Sequence, residues 1–128
     1  MAYNILLVDD SSTMRAVIKR TIGLTGLDVA AFHEAGNGLK ALELLEKKQI
    51  DLALIDINMP EMSGLELINR VIAKQTDSLI PIIVVTTETN PARIGELKEK
   101  GVKSCVHKPF TPEQIRKAIL EALGVCYA

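Results

Sequence analysis

A chain of 128 residues is long enough for one hydrophobic core and too short for two, so one domain over residues 1–128 is expected. Fifteen basic residues against sixteen acidic ones leave a formal charge of −1, which argues against a nucleic-acid or membrane surface built on bulk positive charge. Tryptophan is absent and aromatics make up 3% of the chain, so the core must be aliphatic and base-stacking platforms are lacking.

The opening stretch "MAYNILLVDD" has no basic n-region, and its apolar run is too short for a signal peptide. That run, Ile5 to Val8, reads as a strand ending directly in Asp9 and Asp10. Met14, Val17, Ile18, Thr21 and Ile22 then fall at helical spacing, with a stop near Gly26. Val29–Ala35 is a weaker, mixed strand. Asn37 is placed to cap a helix carrying Leu39, Leu42 and Leu45. The run from Leu52 to Ile55 is aliphatic throughout and ends at Asp56. Ser63 and Glu66 have capping-box spacing ahead of Leu65, Ile68 and Ile72. Ile82–Val85 is a third continuous run, followed by Thr86. Asn90-Pro91 opens a helix with a thin apolar face, little beyond Ala92, Ile94 and Leu97, which should be the least firmly docked. Ser104–His107 is another mixed strand, followed by Lys108, and Thr111, Pro112 and Gln114 form a second capping box before Ile115, Ile119 and Leu123.

Five strand–helix units in series imply an α/β fold with a doubly wound parallel sheet. Continuous apolar strands suit the centre and mixed ones the edges, which gives the order 2-1-3-4-5. In such sheets a site lies beyond the carboxyl ends of the strands, at the switch in strand order between the first and third. Asp9, Asp10 and Asp56 converge there. Three carboxylates repel one another, and an all-oxygen set without His or Cys suits a hard divalent cation, Mg²⁺ above all. Thr86 and Lys108 reach the same edge, so acids, a hydroxyl and an ammonium surround one point, as a transferred phosphoryl group requires. Asp56 is then the candidate nucleophile. Each residue alone has a plainer explanation: helix caps for Asp9 and Asp10, turns for Asp56 and Thr86, an exposed loop for Lys108. Their joint arrival at one sheet edge favours the site. His33 and His107 have no ligand partner at metal spacing, and Met14, Met59 and Met62 read as packing or loop residues. Cys105 and Cys126 have neither metal spacing nor a CxxC arrangement, which fits a reduced, cytoplasmic protein.

The stretches "ILLVDDSSTMR", "DLALIDINMPEMSGLEL", "PIIVVTTE" and "KPFT" resemble the landmarks of a bacterial response-regulator receiver domain, in the family's order and at its intervals. The resemblance spans essentially the whole chain. It implies a flavodoxin-like, three-layer (βα)5 sandwich and a signalling protein of a two-component system rather than an enzyme, of the stand-alone chemotaxis type. It further implies that Asp56 accepts a phosphoryl group from a sensor histidine kinase. Asp10 and Asp56 would bind Mg²⁺ directly, Asp9 through water and Asn58 through its backbone carbonyl. Lys108 would pair with a phosphoryl oxygen and precede a cis Pro109, and Thr86 would move towards the phosphate and report it to the following helix. Asn58 and Glu88 would flank the phosphoryl group and help orient an attacking water. With no output domain expected, the output would be contact with a downstream target protein through about residues 91–123, by a monomer that binds neither nucleic acid nor membrane. Two positions depart from the family pattern. Cys105 stands where an aromatic is common, which puts a rotating-ring switch in doubt, and Thr87 stands where a smaller residue is usual.

Two other classes share the strand-end logic. A haloacid-dehalogenase-type phosphatase needs a second acid two residues after its nucleophile, and that position is Asn58. A flavin-mononucleotide binder of the same fold needs a phosphate loop and stacking aromatics, both missing. Within the receiver family the alternative is a phosphorelay intermediate that passes its phosphate to a histidine phosphotransfer protein.

Overall fold

The computed structural model describes residues 2–57, 64–74, 80–87 and 90–124, with the backbone alone at 64, 65 and 72–74. In chain order the elements are β1 (Tyr3–Val8), α1 (Ser12–Gly23), β2 (Val29–Ala35), α2 (Gly38–Lys47) and β3 (Leu52–Ile55). They continue with α3 (Gly64–Lys74), β4 (Ile82–Thr86), α4 (Pro91–Glu99), β5 (Ser104–His107) and α5 (Pro112–Leu123). The strands form one parallel sheet in the order β2-β1-β3-β4-β5. The aliphatic strands do take the centre and the mixed ones the edges.

The two-residue alternation of each strand divides the core into two layers. Leu6, Val8, Ala53, Ile55, Ile82 and Val84 face one side, where Ala41 of α2, Leu67, Ile68 and Val71 of α3 and Leu97 of α4 cover them. Ile5, Leu7, Leu52, Leu54, Ile83, Val85 and Val106 face the other, under Ile18 and Ile22 of α1 and Ile115, Ala118, Ile119 and Ala122 of α5. Central strands need apolar residues at every position because both faces are buried. That requirement is why β1, β3 and β4 read as unbroken runs.

The caps explain the helix boundaries. Asn37, Asn90 and Thr111 each accept a backbone N–H of the first turn, and Thr111 with Gln114 closes a full capping box. Ser11, rather than either aspartate, caps α1 by accepting from Met14 N. The capping box expected at Ser63 lies outside the described residues. Helix α1 stops at Gly23, short of the expected end, and the chain turns through Gly26, whose φ of 79° suits glycine. The apolar stripes are narrower than the spacing predicts. Val17 is 45% and Leu39 60% exposed, while Ile18 and Ile22 with partly buried Met14 cover the sheet from α1, and Ala41 with partly buried Leu42, Leu44 and Leu45 covers it from α2. Helix α4 buries only Leu97, as its thin face implies.

Candidate functional site

The carboxyl ends of the strands hold their loop residues in register. Asp9 donates its N–H to the Ala35 carbonyl of β2 at 3.1 Å, and Asp56 donates to the Val8 carbonyl of β1 at 2.9 Å. Lys108 donates its backbone N–H to the Thr86 carbonyl of β4 at 2.8 Å. Each residue has left its own strand yet remains bonded to the neighbouring one, so side chains from three strands are fixed around one crevice. Thr86 itself is the last residue of β4 rather than the first residue after it, opposite His107 of β5. The peptide bond between Lys108 and Pro109 is cis.

Carboxylate oxygens of Asp9, Asp10 and Asp56 all lie within 4.8 Å of one another. Asp9 and Asp56 are buried, as is Thr86, whereas Asp10 is exposed. The Lys108 ammonium enters between the buried pair, 3.2 Å from Asp9 Oδ2 and 3.7 Å from Asp56 Oδ2. The first distance is a charge-assisted hydrogen bond and the second an ion pair. Asp9 Oδ1 accepts from Ser11 N at 2.9 Å. One ammonium among three carboxyl groups leaves the crevice formally short of positive charge. An all-oxygen donor set of this kind can hold a hard divalent cation.

The structure thus brings together Asp9, Asp10, Asp56 and Lys108, with Thr86 at the adjoining strand end. Asn58 and Glu88 lie outside the described residues. Thr87 is exposed. Cys105 is a free thiol, partly buried against the layer under α2, α3 and α4, and paired in register with Val84. Burial pushes its pKa up, with Lys98 opposing, so it is held as the thiol. By strand alternation Val84 and Thr86 share a face, which places Cys105 diagonally beside Thr86.

Three residues escaped the sequence reading. Ser11 holds both the α1 cap and an Asp9 oxygen. Arg15 donates from Nη1 to the Asp9 carbonyl and from Nε to Glu34 Oε1 at 3.1 Å. Glu34 also accepts from Lys19 Nζ at 2.8 Å, and Lys19 first and Arg15 second hold its carboxyl below the usual range. Ser11 had a signal, since a serine before a helical stripe is a standard cap. Arg15 and Glu34 had none, because their contact joins a helix to an edge strand 19 residues away.

The chain matches the family described as the response regulator receiver domain over residues 5–120. It is 41% identical over 121 residues to the chemotaxis protein CheY homolog of Campylobacter jejuni, across 94% of this chain and 92% of that protein. It is 40% identical over 121 residues to chemotaxis protein CheY1 of Helicobacter pylori, across 94% of this chain and 96% of that one. Among solved structures, the chemotaxis response regulator CheY4 of Vibrio cholerae superposes with a TM-score of 0.83 at 32% identity, covering 96% of this chain and all of that one.

Proposed function

The chain belongs to the response regulator receiver domain family, and from that premise we propose that it is a chemotaxis-type regulator switched by phosphorylation of Asp56. The observation that carries this reading is the setting of the Asp56 carboxylate. It is buried at the end of the central strand β3, 3.7 Å from the Lys108 ammonium and clustered with Asp9 and Asp10.

In the proposed step an Asp56 oxygen attacks the phosphorus of a phosphohistidine on a sensor histidine kinase. The P–N bond breaks, the imidazole leaves with its electron pair, and an acyl phosphate forms on Asp56. Hydrolysis returns the carboxylate and inorganic phosphate. Lys108, already between Asp9 and Asp56, pairs with a phosphoryl oxygen and stabilises its charge. Thr86, fixed at the end of β4, donates its hydroxyl to another. Mg²⁺ would be held directly by Asp10 and Asp56, by Asp9 through water and by Asn58 through its backbone carbonyl. Bound there, the cation would neutralise charge developing on the phosphoryl oxygens.

The output is a protein contact. The surface of α4, β5 and α5, residues 91–123, is assigned to the downstream target. Helix α4 follows Thr86 closely and is anchored through Leu97 alone among its described buried residues, so a shift of the loop is cheap to transmit. The chain acts as a single cytoplasmic receiver domain, and none of its described helices is long and apolar enough to cross a membrane. Incubation with a small acyl-phosphate donor and Mg²⁺ should add one phosphoryl group by intact mass, and Asp56→Asn should add none. Equal labelling of the Asn variant would remove Asp56 from the reaction.

A further inference from the structure

All four polar atoms of Asp9 have partners. Its N–H donates to Ala35, its side-chain oxygens accept from Ser11 and Lys108, and its carbonyl accepts from Arg15. Only the last of these comes from a side chain with no other part in the crevice. Arg15 stands near the start of α1, its N–H bonded to the Ser11 carbonyl. A cation at that end of a helix is opposed by the helix dipole. It is offset here by Glu34, one residue before the Ala35 whose carbonyl holds the Asp9 amide. The guanidinium lies over Gly36, where an added Cβ would sit 3.6 Å from Nη1, and the Arg15 side chain is only 17% exposed. Arg15 therefore brackets the end of β1 to the end of β2, with one fork arm on each.

We infer that Arg15, held by Glu34, is a positioning residue that fixes the Asp9–Asp10 turn so that the acids converge on a divalent cation. The inference rests on the metal reading above. Its sign separates it from simple electrostatics. Arg15 is a cation near an acidic crevice, so its charge alone opposes Mg²⁺, and removing it should tighten binding. Positioning predicts the opposite. Lysine keeps the charge but has no planar fork to hold the Asp9 carbonyl and Glu34 together, so Arg15→Lys should loosen the turn with charge conserved. Lys19 shares Glu34 without touching Asp9, and serves as the control for loss of a nearby cation.

The test is Mg²⁺ titration by calorimetry on the full chain and three variants, with unfolding midpoints in chelator to verify folding. Arg15→Ala should weaken Mg²⁺ affinity about tenfold, the scale of outer partners that orient metal ligands. Arg15→Lys should weaken it several-fold, and Lys19→Ala should not weaken it. Metal-free hydrogen exchange at the Asp9 amide should be faster in both Arg15 variants than in the unsubstituted chain. Should Arg15→Ala fail to fold, Arg15→Lys carries the comparison. Unchanged or tighter binding in the Arg15 variants, or equal weakening in Lys19→Ala, would overturn the inference while leaving the functional reading intact. No Mg²⁺ uptake by the unsubstituted chain would instead overturn the metal reading, and the inference with it.

Discussion

Lys108 carries the charge balance of the crevice. Its ammonium is mostly buried between Asp9 and Asp56, and both of those carboxylates are buried as well. Removing one member of such a group strands the others, at about 3–5 kcal/mol when burial is complete. The partly open site brings the expected cost of Lys108→Ala to about 2 kcal/mol by denaturant unfolding in chelator. Mg²⁺ should then recover much of that loss, since a divalent ion restores the missing positive charge, and it does so by binding only the folded chain. Equal losses with and without Mg²⁺ would mean that the lysine stabilises the fold by packing and not by charge. Cys105 makes no comparable electrostatic contribution. Its thiol is half-buried beside Val84, with its pKa raised by burial, so its role is to fill space on the α4 side of the sheet.

At the scale of elements, α4 and α5 differ sharply in how they are held. Helix α5 buries Ile115, Ala118, Ile119, Leu120 and Ala122, whereas α4 buries Leu97 alone among its described residues. Backbone amides of α4 should accordingly exchange through local openings well below the global unfolding free energy, and those of α5 close to it. Equal protection of the two helices in native-state hydrogen exchange would contradict this ranking. If phosphorylation acts through Thr86 as proposed, the same contrast makes α4 the element it would move. Thr86→Ala should leave Asp56 able to take phosphate but abolish the increase in target binding that phosphorylation brings. Cys105→Ala should leave that increase nearly intact, because a small side chain has no ring to rotate. A binding response that survives Thr86→Ala but not Cys105→Ala would reverse this assignment.

Over the whole molecule, what the sequence reveals depends on whether a feature is periodic or pairwise. The sheet order was legible because residues buried on two faces leave unbroken runs at Ile5–Val8, Leu52–Ile55 and Ile82–Val85, and edge strands do not. The acid cluster is legible because Asp9 and Asp56 directly follow apolar runs, with Asp10 next to Asp9. Helix faces bury less than their spacing offers. Val17 and Leu39 fit the spacing but stay exposed, since periodicity marks candidates for burial and the area of sheet to be covered decides among them. The Arg15–Glu34 bracket was invisible because no local pattern links a helix start to a distant edge strand. What these scales share is the convergence of strand ends on Asp56, and its chemistry can be read at a single atom. An acyl phosphate, unlike a phosphoester or an unmodified carboxylate, is reduced by borohydride, which converts a phosphorylated aspartate to homoserine with loss of phosphate. After labelling with an acyl-phosphate donor and Mg²⁺, reduction and peptide mapping should place homoserine at position 56 and at no other aspartate. Homoserine at position 9 or 10, or none anywhere in protein that has gained phosphate, would contradict Asp56 as the acceptor.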